Sequence, residues 1–560
     1  MFAIRIFRDL ATLAVVLALA ACAGNVSGSF FSIGSSSQSV LRNTLLSEQS
    51  RRSLSLSDEV LAFYQSRNFQ PAWTASASQR EMARAVREVL ARAHEQGLRD
   101  EEYKLADEHF DSQFASARAK YELALTSAVL RYSHDVRTGR FRPSDVYDDV
   151  ELPGHGFDAA AALNQAQQNG SVKEYLAGLP PLHPQYRELV KALAQYRAIA
   201  DDGGWPSVPV QNAIRFDDND PGTVTLIGRL GSEDPVLAAT PKPSTAQLRD
   251  AVKRFQARNG LDDDGVVGSR TIAALNVSAS SRATQIAANM ERWRWMPRQF
   301  ERRYVAVNVA DQSLELTRDG EIALTSRVIV GQKTSMTPIT RATIEAIVVN
   351  PPWNIPGDIA ARALLPRLRQ NANYLASRNM VVTNGRPNDP YGRTIDWKKV
   401  IPAEFPYAIR QLPGPTAALG ALMLDSPNDF DVYLHDTPNK NLFDLSEREI
   451  SNGCVRVQEI FPLASLALTG NVKTGMEKLT DATRSRRTQR LELDSPLPVY
   501  FLYWTALARP DGRVEFRPDR YGRDIPLVAA LSTTNISAIT RNRELTAMSR
   551  DSSPVEELSP

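Results

Sequence analysis

The chain has 560 residues, 42% hydrophobic and 23% charged, with a formal net charge of +2. At roughly 100–200 residues per domain this predicts about three or four domains of ordinary globular composition. A near-neutral chain without a basic stripe of interleaved aromatics lacks the electrostatic footprint of a nucleic-acid binder. Beyond the first residues nothing is apolar for long enough to cross a bilayer.

The N-terminus reads as a leader rather than as fold. Arg5 and Arg8 give a positive n-region, and Leu10 to Ala21 an apolar run. The next step, Leu19-Ala20-Ala21-Cys22, resembles the bacterial lipobox, in which the cysteine is diacylated and becomes the mature N-terminus. Residues 1–21 are therefore expected to be a lipoprotein signal peptide and Cys22 a lipidation site. Ala18-Leu19-Ala20 also fits an ordinary secretory cleavage site, and that alternative stays open. The apolar run is short for an uncleaved anchor. The expected location is the periplasm, with attachment to a membrane, inner or outer, through the lipid.

Residues 22–50, rich in Ser, Gly and Asn, read as a flexible tether. Residues 51–235 read as a helical scaffold domain. Met82, Val86, Val89, Leu90 and Ala93 recur at helical spacing before Gly97, and 121–132 and 186–199 repeat the pattern. His134, His155 and His183 are scattered without metal-ligand spacing. After a Pro/Ser/Thr linker, Leu248, Val252 and Phe255 share a helical face, and Asn259-Gly260 ends that helix. Asp264-Gly265 and Gly268 mark turns before a short helix over 271–276. From 303 the period changes to that of strands: Val305, Val307 and Val309, then Leu314 and Leu316, then the hairpin signal Asp319-Gly320 before Ile322 and Leu324. Val328 to Val330 and Ile344 to Val349 add strands. A helical block at about 357–410 interrupts the pattern, and strands resume at 421–424 and 432–434. The tail 531–560 has the composition of disorder.

Only two cysteines occur, Cys22 and Cys454. With Cys22 lipidated, Cys454 has no disulfide partner, and an unpaired thiol in an exported chain calls for a reason. The bland reason is a small buried hydrophobe. The other is chemistry. His435 lies 19 positions before Cys454 in the same β-rich region. A thiol attacks as its thiolate, and an imidazole can take the proton at neutral pH. Gly453 allows a tight turn beside the thiol, where backbone N–H groups can stabilise an oxyanion.

The segment 241–277, with its Ala251-Val252, Phe255-Gln256, Asn259-Gly260-Leu261 and Thr271 to Asn276 elements, resembles the small three-helix peptidoglycan-binding domain. His435 and the string Ser451-Asn452-Gly453-Cys454-Val455-Arg456-Val457 resemble the L,D-transpeptidase (YkuD-type) catalytic domain. That likeness covers about 303–480 and includes Thr337-Pro338, Asn350 to Pro356, Arg410 to Gly414 and Ala418 to Gly420. His435-Asp436 in place of His-Gly points to the large subgroup with a helical scaffold and a capping insertion. Ala418 departs from the Asn more usual in such a motif.

The resemblance implies a multidomain α+β chain: helical scaffold, small binding domain, and a β-sandwich-like catalytic domain with a helical capping insertion that acts as a lid. Residues 481–530 are expected to pack on the scaffold. It implies that Cys454 attacks the third residue of a tetrapeptide stem, that D-Ala leaves with a proton from His435, and that the amine of a second stem resolves the acyl-enzyme into a 3→3 crosslink. Backbone at Gly453 or Asp436 would hold the oxyanion or orient the ring. Arg456 would bind a substrate carboxylate or form a structural salt bridge. Tyr433 would touch substrate or fill core. Ser451 and Asn452 are expected to contact substrate, and Trp353 and Asn354 to line the cleft mouth. The partners implied are donor and acceptor stem peptides and glycan, with no cofactor or metal. Alternatives are an L,D-carboxypeptidase or protein-to-wall attachment through the same acyl-enzyme, or a wall-binding lipoprotein without catalysis.

Overall fold

A computed structural model describes residues 36–105, 112–154, 156–209, 214, 216, 221–509 and 511–533. The leader, Cys22, the first part of the expected tether, His155 and residues 534–560 lie outside them. The chain forms two compact units, one of residues 1–88, 105–130 and 159–175, the other of 89–104, 131–158 and 176–560.

The first unit is helical, as expected, but it starts earlier than the composition suggests. Helices Ser37–Leu46 and Glu48–Ser53 occupy much of the expected tether. Ser36 and Ser47 accept hydrogen bonds from Ser39 N–H and Ser50 N–H, so serines that read as linker are N-caps. Leu41 and Leu45, one turn apart, are fully buried and hold the first helix down. The unit is tied together by Glu122, which is fully buried. Its carboxylate accepts from the N–H groups of Ala72, Trp73 and Thr74 and from the hydroxyls of Thr74 and Tyr64.

In the second unit, Thr245–Arg258 begins with a capping box of Ser244 and Gln247. It packs with Ser269–Leu275 around Leu248, Val252, Phe255, Ile272 and Leu275. The same core takes Leu226, Leu230 and Leu237 from the preceding helices Pro221–Gly231 and Pro235–Ala238. The small domain is therefore built from more chain than 241–277.

The catalytic-region sheet uses β1 (Val150–Glu151), β2 (Arg303–Asn308), β3 (Ser313–Arg318), β4 (Glu321–Gly331) and β5 (Ile339–Val349). Three short strands, β6 (Trp353–Ile355), β7 (Met380–Val382) and β8 (Ile409–Gln411), form a separate sheet. Then come β9 (Leu422–Asp425), β10 (Leu434–His435), β11 (Glu449–Ser451), β12 (Val455–Val457) and β13 (Gln489–Leu502). The order is β1-β5-β13-β2-β3-β4-β12-β10-β9, and β9 also pairs with β5. That last pairing closes the sheet on itself. The strands from β5 round to β9 thus form a closed barrel about the core, with β1 left as an edge strand beside β5. Val305, Val307, Leu314, Val328, Leu434, Val455 and Val457 alternate inward and are buried.

Two expectations need correction. Residues 481–530 were expected on the scaffold; β13 is instead a central strand between β5 and β2, while the residues after it do meet that region, Tyr147 donating to the Arg523 carbonyl and Asp149 pairing with Arg523. Pro496 and Pro498 hide it in the sequence, because proline argues against a central strand; Pro496 falls within the register shift between Glu492 and Leu497, while Pro498 stays in register opposite Thr343. The capping insertion is not purely helical. It combines short helices with β6, β8 and β7 around its own core of Leu364, Leu365, Leu368, Leu375, Trp397 and Ile409.

Candidate active site

Strands β10 and β12 run parallel, with Leu434 opposite Val455 and His435 opposite Arg456. Since Leu434, Val455 and Val457 fill the barrel, the alternate residues Tyr433, His435, Cys454 and Arg456 point to the outer face. His435 and Cys454 are diagonal neighbours on these adjacent strands, a separation of about 7–8 Å between Cα atoms. The register thus brings together the two groups singled out in the sequence.

The turn that carries the thiol is held from both sides. Gly453 has φ +114°, a conformation that favours glycine. Its N–H donates to Ser451 Oγ at 3.2 Å, and Ser451 Oγ donates to the Cys454 carbonyl at 2.6 Å. Thr337, almost fully buried, donates to the Gly453 carbonyl at 2.7 Å and accepts from Gly331 N–H at 2.9 Å. Both polar groups of Gly453 are therefore occupied, which corrects its expected part as ring-orienting or oxyanion backbone. Cys454 N–H has no acceptor among the described residues, so an open donor lies beside the thiol.

The imidazole is oriented by Asp436, whose carbonyl lies 2.5 Å from His435 Nδ1. A carbonyl can only accept, so Nδ1 carries the proton and Nε2 is left basic. Asp436 is itself anchored. Its N–H donates to the Leu422 carbonyl at 2.8 Å, and its carboxylate accepts from Ala421 N–H at 2.8 Å and from Lys440. A Cβ at Gly420 would sit 2.4 Å from that carboxylate, so a glycine is needed there.

Burial, with the Arg456 guanidinium beside it, pulls His435 down to about 4, and burial pushes the Cys454 thiol up. Both groups are neutral near pH 7. Such a pair does not store a thiolate; it can deprotonate the sulfur as attack proceeds. Cys454 Sγ donates to the Asp431 carbonyl at 3.6 Å. Arg456 forms no ion pair among the described residues, and its Nε is buried without a partner; burial lowers its pKa. Of its two expected readings the salt bridge is absent, and a charged donor remains on the sulfur's face.

The other expected residues divide. Tyr433 is half-buried and its hydroxyl donates to Asp431 at 3.3 Å. Ser451 is buried and serves the turn, while Asn452 is exposed. Trp353 and Asn354 belong to the cap sheet: Trp353 packs on the cap core and Asn354 accepts from Arg410 Nε at 2.7 Å. Neither makes a hydrogen bond with Cys454 or His435. Thr337, the Asp431 carbonyl and the Asp436 side chain were not picked out as site residues. The Asn428-Asp429 turn signal was a usable clue to the Asp431 loop: Asn428 Oδ1 accepts from Phe430 N–H and Val432 N–H, and Asp431 takes φ +53°.

The site thus sets a thiol and an oriented imidazole on adjacent strands, a pairing with which a thiol can be activated for attack. Residues 302–475 match the L,D-transpeptidase catalytic domain, 239–275 the “Putative peptidoglycan binding domain”, and 58–193 the “Scaffold domain”. The chain thus carries an L,D-transpeptidase catalytic domain together with a scaffold and a peptidoglycan-binding domain. A curated relative from Haemophilus influenzae, named “Putative L,D-transpeptidase”, is 37% identical over 283 residues, which cover 50% of this chain and 55% of the relative. The chain therefore spans about half the length of that relative. A solved structure titled “Structure of the Ldtfm-avibactam carbamoyl enzyme” aligns with 50% of this chain and 97% of its own at 11% identity and a TM-score of 0.19, a likeness too weak to bear on fold.

Proposed function

We propose that the chain is an L,D-transpeptidase that forms 3→3 crosslinks in peptidoglycan through an acyl-enzyme on Cys454. The observation that carries this reading is the hydrogen bond from His435 Nδ1 to the Asp436 carbonyl, which leaves Nε2 free to act as base on the outer face that Cys454 shares. Nε2 takes the thiol proton as Sγ attacks the carbonyl of the third residue of a tetrapeptide stem. Cys454 N–H stabilises the oxyanion. The C–N bond to the terminal D-Ala breaks, its nitrogen takes the proton from His435, and a thioester remains. The side-chain amine of a second stem then attacks the thioester, His435 accepts a proton from that amine, and the thiol is regenerated as the new amide forms. Arg456, the unpaired cation beside the sulfur, attracts the carboxylate of the donor stem. The cap acts as the lid that excludes water, which would otherwise hydrolyse the thioester.

The leader and Cys22 support a lipid-anchored, periplasmic location, where the stem peptides and glycan are. Muropeptide analysis of cells with and without the protein tests the reading. The expected result is loss of 3→3 dimers without the protein. Unchanged dimers with fewer free tripeptides would mean that water is the acceptor.

A further inference from the structure

A cavity of about 770 Å³ lies apart from Cys454 and His435, and none of the site residues line it. Its floor is the outer face of β2 and β3, through Ala306 and Asn308 on one strand and Ser313 and Glu315 on the other. Its wall is aromatic. Trp504, half-buried, stacks on Trp293 at 4.2 Å and 16°, and Phe300 stacks on Tyr304 at 4.5 Å. We propose that this cavity is a sugar subsite that holds an N-acetylated hexosamine of a glycan strand.

The chemistry of the lining selects that ligand class. The charged side chains are nearly balanced, four carboxylates against three guanidiniums, so the cavity favours neither an anion nor a cation. What it offers is aromatic surface and polar groups open to a ligand. The Glu315 side chain makes no hydrogen bond among the described residues and pairs with Arg509 at 3.8 Å. Burial holds its carboxyl above the ordinary range. Trp504 Nε1 also has no acceptor among the described residues. A carboxyl and an indole N–H both open to the cavity beside aromatic faces suit a ligand that is apolar on its C–H faces and carries hydroxyl and acetamido groups at its rim. A pyranose fits that description.

The cavity also lies on the right side of the barrel. Glu315 pairs with Thr325, and Ile329, on the same face of β4, pairs with Arg456. The floor and the thiol therefore share the outer face. With strands about 4.8 Å apart and 3.3 Å per residue, two strands across and about six residues along place Glu315 roughly 20 Å from Cys454. A wall strand seated here would hold its stems within reach of the sulfur. The choice of a wall sugar rests on the proposed reaction; the preference for a neutral, polyhydroxylated ligand rests on the cavity alone.

The test is titration of the full chain with tri-N-acetylchitotriose, followed by tryptophan fluorescence and by hydrogen exchange. A saturable fluorescence change is expected, with exchange protection in 304–317 and 504–509. Glu315→Ala, and separately Ala306→Phe, which fills the floor, are each expected to weaken binding at least tenfold with an unchanged far-UV spectrum. No saturable change, equal affinity in both folded variants, or protection confined to 248–275 would overturn the proposal. If chitotriose binds as expected but no substrate or β-lactam ever acylates Cys454, the subsite stands and the reaction proposed above falls.

Discussion

Thr337→Val is the sharpest probe of how the proposed nucleophile is held. Valine keeps the shape of threonine and removes only the hydroxyl, which in the wild type donates to the Gly453 carbonyl and accepts from Gly331 N–H. Thr337 is 1% exposed, so water cannot replace it. Each buried polar group left unpaired costs about 1–3 kcal/mol, and the two together give about 2–6 kcal/mol. Part of that cost is local to the turn. Exchange of the Gly331 amide, read by peptide-level mass spectrometry, is expected to speed up about 10- to 100-fold, as follows from 1.4–2.8 kcal/mol of lost protection. Acylation of Cys454 is expected to slow in parallel, because the sulfur rides on the same turn. Wild-type exchange at Gly331 in a folded Thr337→Val protein would refute the argument that this hydroxyl holds the turn.

Other perturbations follow from the same geometry. His435 titrates at about 4 in the fold and at about 6.5 when unfolded. Between those values the unfolded chain binds the extra proton, so its stabilising contribution is complete above about pH 6.5 and is lost as pH falls through 4, about 3 kcal/mol in all. The acid limb of Cys454 acylation should likewise fall near pH 4 rather than 6.5, which a pH–rate profile reads directly. Asp436→Ala strands the Ala421 N–H and loosens the carbonyl that orients the ring; acylation should slow about tenfold or more. Asp436→Asn, which still has an oxygen for Ala421, should recover most of that loss; equal damage in both would point to charge instead. In the helical unit, Glu122→Gln turns a donor toward backbone N–H groups that now meet a carboxylate. It should lower that unit's stability by about 3 kcal/mol, and a melt displaced by less than a degree would contradict this.

Much of the site was legible because its signals are local. Cys454, Gly453 and His435 stand within one short stretch, and strand alternation alone puts Tyr433 with His435 and Cys454 with Arg456 on one face. The hairpin at Asp319-Gly320 is also where its dipeptide places it. What stayed hidden depends on contacts between distant parts of the chain. The closure of β9 on β5, and the insertion of β13 between β5 and β2, are long-range pairings that no window of sequence contains, and Pro496 and Pro498 disguise the second. Thr337 reaches Gly453 across 116 positions. The capping serines of residues 36 and 47 were misread because composition alone does not distinguish a cap from a linker; only the burial of Leu41 and Leu45 does. The large cavity left no motif at all, since its floor is the polar half of two ordinary alternating strands.

The central claim is that Cys454 Sγ carries the acyl group after deprotonation by His435. Intact-mass and peptide-mapping spectrometry of the full chain, incubated with a tetrapeptide muropeptide without an acceptor amine and in parallel with a carbapenem, measures this directly. The account predicts one adduct, on Cys454, absent in Cys454→Ala and strongly slowed in His435→Ala at neutral pH. An adduct on another residue, or the same acylation rate without His435, would contradict it.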